Sequence, residues 1–312
     1  MSGKIELNRD FTDLLKLLAA LLVAAGHYSG YAIANGHGSI IYTVLAAIGG
    51  YIGVAIFFFL SGYGLMMSEN KKHTPFFSFI KKRLVKLYLP VVLVSAIWGI
   101  VRWPEESGIE WIGHYLYWAF WGFGDGILWF VRVIIVEYLL FAAYIYLNIK
   151  PWMRETMLWL GTALVYVFVY FYVGAWAAVS IPMFTIGILL AKYESWFYSV
   201  AHGKGVILWI IAITGIMGLA YYLWGNVYAH TLLNYYVITG IIVAGAYSIT
   251  TKITPPHLPD WAGSVSYDIY LTHYKVLYYC TAVYGFIGLH HFIVGLIVLS
   301  AASLALRKTL GI

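Results

Sequence analysis

Runs of about 18–20 apolar residues follow one another along nearly the whole of this chain, and that pattern decides which solvent it folds in. Each run is long enough to cross the ~30 Å hydrocarbon core of a bilayer. A backbone in that medium has no water to bond, so it must satisfy itself as helix. Composition agrees: of 312 residues, 62% are hydrophobic and 10% are charged, with a mean hydropathy of +0.81. An ordinary soluble domain carries roughly 25% charged residues, and a soluble surface cannot be covered with less than half of that. The expectation is an all-α integral membrane protein, one polytopic domain over residues 1–312 with no appended soluble domain.

The apolar stretches place about ten transmembrane helices, at 11–31, 45–67, 85–103, 127–147, 156–173, 176–191, 205–224, 231–250, 264–284 and 288–306. Lys4, Arg9, Lys71, Lys72, Lys81, Lys82, Arg83, Lys86, Lys150, Arg154, Lys192, Lys204, Lys252, Arg307 and Lys308 then fall on one side. Glu105, Glu106, Glu110 and Asp125 fall on the other. By the positive-inside rule both termini are expected in the cytoplasm, and an odd number of spans scrambles the segregation. The formal charge of +6 is thus a topology signal. A nucleic-acid surface is also basic but is not parcelled between apolar spans, so the expected environment is membrane lipid and no nucleic-acid partner. The first apolar stretch lacks the Ala-x-Ala exit of a cleavable signal and reads as a retained helix. Cys280 is the single cysteine, which excludes an intrachain disulfide. In an apolar helix it reads as a packing residue, with a nucleophile as the alternative. The outer loop Pro104–Gly126 is rich in aromatics (Trp111, Tyr115, Tyr117, Trp118, Trp121, Phe123), which suits an interfacial helix in the aromatic belt or a lid with stacking faces for a sugar.

Inside the spans the polar residues reduce to Lys16, His27, Arg132, Glu137, Asp268, His273 and Lys275. A charge at span depth costs several kcal/mol, so such residues face protein or a watery cavity and are the default functional candidates. Lys16 and His27 are eleven residues apart, about 1,100° of helical rotation, which puts them on one face with about 16–17 Å between them. Ala20 and Val23 keep the intervening stripe narrow, and a long ligand with an anionic head fits along it. The plainer readings are a Lys16 that snorkels or pairs with Asp13, and a His27 that bonds a neighbouring helix. Asp13 is about 21 Å from His27, so any acid orienting the imidazole comes from another span. Ser61, Gly62 and Gly64 permit close helix approach in the second span. Lys82, Arg83 and Lys86 recur at helical spacing as a basic ridge, suited to topology and also to phosphates. His290 and His291 are adjacent and are not expected to share a metal, and no metal site is expected elsewhere.

Five segments in order resemble the membrane-bound acyltransferase family 3, whose members O-acetylate bacterial surface polysaccharides, peptidoglycan and other glycosides. They are Lys16 with ten residues before His27; Gly53–Gly62; Arg83-Leu-Val-Lys86-Leu-Tyr88-Leu-Pro90; Leu128-Trp129-Phe130 with Glu137-Tyr138; and Ser266-Tyr267-Asp268-Ile-Tyr270-Leu271-Thr-His273. The chain departs from the family pattern at Lys16 and Lys86, where the family often has arginine; lysine keeps the charge and loses the bidentate fork. The resemblance implies a multi-pass enzyme of the bacterial inner membrane. It implies transfer of an acyl, foremost acetyl, group from cytoplasmic acetyl-CoA to a hydroxyl of a carbohydrate or lipid-linked glycan. It also implies roles. The donor falls to Lys16, Lys82, Arg83, Lys86 and Ser61, with the pantetheine arm along the Lys16–His27 stripe. His27 is general base or acyl carrier, with Glu137 or Asp268 to orient it. Arg132, Trp129 and Tyr270 bind the acceptor, with oxyanion stabilisation as the alternative for Arg132; His273 and Lys275 are weaker acceptor-site candidates, and a structural role is the alternative for His273. A secondary transporter and a non-catalytic glycan export partner are the alternatives. Transporters bring paired broken helices and matched halves, neither of which is evident here.

Overall fold

The computed structural model describes residues 7, 9–102, 108–116, 128–196, 258–259 and 261–309. Among them the chain is helical, with no strand. The helices are α1 (Arg9–Ala34), α2 (Ile40–Lys71), α3 (Phe76–Arg102), α4 (Gly108–Leu116), α5 (Leu128–Tyr146), α6 (Pro151–Tyr172), α7 (Ala175–Ala178), α8 (Pro182–Lys192), α9 (Ala262–Tyr284) and α10 (Leu289–Thr309). Among the described residues six segments are long and apolar enough to cross a membrane: α1, α2, α5, α6, α10 and the stretch Ala175–Lys192. Helix α9 is as long, but it carries Asp268, His273 and Lys275 within its length. The protein is a multi-pass membrane protein. The expected spans at 205–224 and 231–250 lie outside the described residues, as do most of the expected outer loop and Lys4, Lys204 and Lys252.

The span expected at 176–191 is two helices, because Pro182 has no N–H to continue a ladder and stands at the start of α8. The connection tightens, with Ser180 and Ile181 donating their N–H groups to the carbonyls three residues back. Pro90, by contrast, sits inside the continuous helix α3. The connection between α6 and α7 turns at Gly174 and that between α9 and α10 at Gly285, both with positive φ that a side chain resists.

The chain divides into two compact units. The first is built from Met1–Ala19, Tyr51–His73 and Tyr166–Gly263. In it α2 and α8 cross with their backbones in contact. A methyl on Gly62 would meet the carbonyl of Phe184, and one on Gly187 would meet that of Phe59. The small-residue reading of the second span thus holds at Gly62, while Gly64 faces open space. Tyr63, buried one residue on, accepts the Leu7 N–H at 3.1 Å and donates to Glu194 Oε1 at 2.5 Å. The second unit comprises Ala20–Gly50, Thr74–Val165 and Ser264–Ile312. Its α1–α2 contact is also made of glycine, Gly26 against the backbone at Leu45 and Gly49–Gly50.

Candidate active site

Helix α9 organises the second unit, because successive residues of its Ser266–His273 segment reach different neighbours. The Tyr267 hydroxyl donates to the Leu87 carbonyl of α3 at 2.9 Å, beside the step where Pro90 offers no N–H to Lys86. Asp268, with no exposed surface, accepts from Ser303 Oγ at 2.6 Å and from the Arg307 guanidinium, both on α10. Arg307 also reaches the Ser264 carbonyl at 3.3 Å, and Thr272 and Ser300 share a hydroxyl pair at 3.1 Å. Ser300, Ser303 and Arg307 recur at three- and four-residue spacing, so they form one polar stripe on α10. Tyr270 packs on Phe130 of α5 with ring centroids 5.0 Å apart. His273 and Tyr274 both meet His27 of α1, at 5.1 Å and, edge-on, 5.7 Å.

His27 opens onto a cavity of about 660 Å³, within the range of small-molecule sites. Its walls come from α1, α2 and α9. Gly26, Gly30 and Ala46 make room, Tyr31, Tyr274 and Tyr278 supply aromatic faces, and Leu277 and Thr281 fill the α9 wall. The spacing explains the set: 26, 27, 30 and 31 share one face of α1, and 274, 277, 278 and 281 one face of α9. At the rim the Tyr31 hydroxyl donates to the Gly285 carbonyl and accepts the Ile287 N–H, each at 3.0 Å. Tyr28 adds a bond to the Ile287 carbonyl at 3.3 Å. Stacking of Tyr31 and His37 on Phe286 completes the tie between α1 and the α9–α10 turn.

The other expected residues are distributed more widely. In the first unit, Lys16 is bonded to Asp13 at 2.8 Å, the local pairing that its spacing allowed, and Arg9 joins the same carboxylate at 3.6 Å. Ser61, half-buried, lies in that unit as well. In the second unit, Lys82 and Lys86 are exposed on α3 while the Arg83 guanidinium stands 5.9 Å over the Phe79 ring, so the basic ridge exists as a surface. Arg132 is half-buried within electrostatic reach of Tyr88. Trp129, Tyr270, His273 and Lys275 are buried, and none of them is among the described residues lining the cavity. Glu137 is fully buried, two turns along α5 from Phe130, and neither carboxyl oxygen has a partner among the described residues. Asp268, the other expected orienting acid, is engaged with α10.

Two expectations need correction. Arg307 counted as a loop cation, but it is buried, and its charge answers Asp268 and not the cytoplasmic surface. An acid inside a span favours a cationic partner on a neighbouring helix, which was the signal for this pair. His290 and His291 were held apart by helical geometry; in the first turn of α10 their exposed rings meet at 3.8 Å. Tyr31, Tyr274 and Tyr278 were not singled out, although Tyr270, Tyr274 and Tyr278 recur every four residues.

No curated protein and no solved structure matches the chain. The model of acyltransferase family 3, described as an acyltransferase domain, matches residues 9–307, and the chain is a member of that family, an acyltransferase of the membrane.

Proposed function

We propose that this acyltransferase moves an acetyl group from acetyl-CoA to a hydroxyl of a carbohydrate or lipid-linked glycan at the bacterial inner membrane, with His27 as the general base. One observation carries the reading. His27 is the imidazole exposed in an aromatic-walled cavity large enough for a sugar-sized acceptor. Imidazole titrates near working pH and can take a hydroxyl proton as the oxygen attacks the thioester carbonyl. Tyrosine faces suit the C–H face of a sugar ring, and their hydroxyls suit its polar edge. The donor's phosphates are assigned to the exposed ridge of Lys82, Arg83 and Lys86, on the cytoplasmic side with both termini. The helix that carries the ridge, α3, is tied to α9 by the Tyr267 hydroxyl on the Leu87 carbonyl. Lys16, in the first unit, already shares Asp13 with Arg9 and lacks the bidentate fork of an arginine. Glu137 supports the chemistry from α5, and Arg132 beside Tyr88 serves the acceptor.

The test is transfer of label from acetyl-CoA to membrane glycans in vesicles. His27→Ala is expected to lower turnover by about 10³-fold or more with protein level and thermal unfolding unchanged. Substantial residual turnover removes His27 from the chemistry. The double change Arg83→Ala with Lys86→Ala is expected to raise the KM for acetyl-CoA about tenfold or more while the maximal rate holds. An unchanged KM places the phosphates elsewhere. Solute uptake into vesicles in the absence of acetyl-CoA is the result that points to a transporter instead.

A further inference from the structure

We infer that His273 is the positioning residue for His27, a neutral imidazole standing where an orienting carboxylate is usual. This rests on the reading of His27 as the base. His273 has no exposed surface. Its Nδ1 lies 2.7 Å from the Tyr270 carbonyl and 3.3 Å from that of Ile269. A carbonyl only accepts, so Nδ1 carries the proton and Nε2 is left as a lone pair. That Nε2 is buried and has no partner among the described residues. A buried acceptor left unanswered is costly, so one that persists points to a use. The polar ring beside it is His27, with centroids 5.1 Å apart and planes tilted by 39°. Ring nitrogens stand roughly 1.1 Å from their centroid, so a rotation of the His27 ring that turns one nitrogen to Nε2 closes this spacing to the about 2.9 Å of a hydrogen bond, which the ring orientation in this structure does not make.

The consequence is chemical. If His27 donates its N–H to His273 Nε2, its other nitrogen holds the lone pair and is turned to the cavity, beside Tyr274. The acceptor O–H then gives its proton to that nitrogen while the oxygen's electron pair forms the new bond to the acyl carbon. The carbon–sulfur bond breaks, its electrons stay on sulfur, and the proton passes from His27 to the thiolate. Nothing is transferred to His273, whose Nδ1 keeps its proton, donated to the Tyr270 carbonyl, throughout. A neutral acceptor also avoids placing a further ion pair at span depth, such as the one Asp268 makes with Arg307.

The experiment uses the full chain in nanodiscs with nitrogen-15 labelled histidine. His27 signals are assigned by their loss in His27→Ala and recorded at about pH 8.5, where an imidazole is neutral. The parent protein is expected to hold His27 in one tautomer. His273→Phe keeps the ring shape without the acceptor and is expected to give a tautomer mixture. His273→Gln, whose side-chain oxygen falls near the Nε2 position, is expected to restore the single form. In parallel, with acetyl-CoA as the probe, His273→Phe should lower kcat about 10²-fold with KM for acetyl-CoA unchanged, and His273→Gln should recover most of it. A tautomer mixture in the parent, or the same single tautomer in His273→Phe, overturns the assignment. If the tautomers behave as expected and no variant affects turnover, His273 still positions His27, and it is the role of His27 as base that fails.

Discussion

The two ends of one α9 segment handle buried polarity differently. At Asp268 both carboxylate oxygens are taken, by Ser303 and Arg307, and the guanidinium also serves the Ser264 carbonyl. Five residues on, His273 leaves Nε2 unanswered among the described residues, and its neighbour His27 opens into a cavity. Both places bury groups that a bilayer span can hold only at a cost. Where the groups close on one another they join two helices. Where one is left open, a neighbouring donor has something to bind.

The most severe way to break the contrast is at the closed end. Arg307→Met leaves the Asp268 charge buried alone and is expected to cost about 3–5 kcal/mol, read as loss of folded protein in thermal unfolding in detergent. Joining it with Asp268→Leu should recover most of that, because the pair is then removed as a pair; no recovery means that the carboxylate has another task. A smaller effect is expected at the cavity. Tyr278→Ala and Tyr274→Ala each remove an aromatic face worth about 0.5–1.5 kcal/mol, so turnover at limiting acceptor should fall up to about tenfold with little change in unfolding temperature. A fall in unfolding temperature with unchanged turnover would recast them as packing. The smallest effect on stability is expected at Glu137, an orphan like His273. Glu137→Gln discards an acid with no partner among the described residues, so unfolding temperature should hold or rise slightly while turnover drops. A destabilised variant with full turnover would move Glu137 to the structural side.

Much of the architecture was legible because a bilayer imposes one strong rule, and α1, α2, α5, α6 and α10 follow their apolar runs. The break at Pro182 was not, since hydropathy is blind to a missing N–H. His27 stood out because a histidine at span depth is rare. Tyr274 and Tyr278 did not, because tyrosine is ordinary in membrane helices and only the neighbouring small residues make a wall of them. Arg307 was misread for a related reason: charge near a helix end looks like topology until the opposite charge is found on the next helix. Lys16 shows the reverse, with its local partner Asp13 visible in the sequence and realised in the structure.

The crossing of α2 and α8 has a consequence for how this protein tolerates change. Gly62 and Gly187 each lean on the other helix's carbonyl, so an added methyl at either must prise the same two backbones apart. Once the first alanine has spread them, the second finds the space already made. The two positions therefore share a single penalty, and the double variant should be less damaged than the sum of the singles.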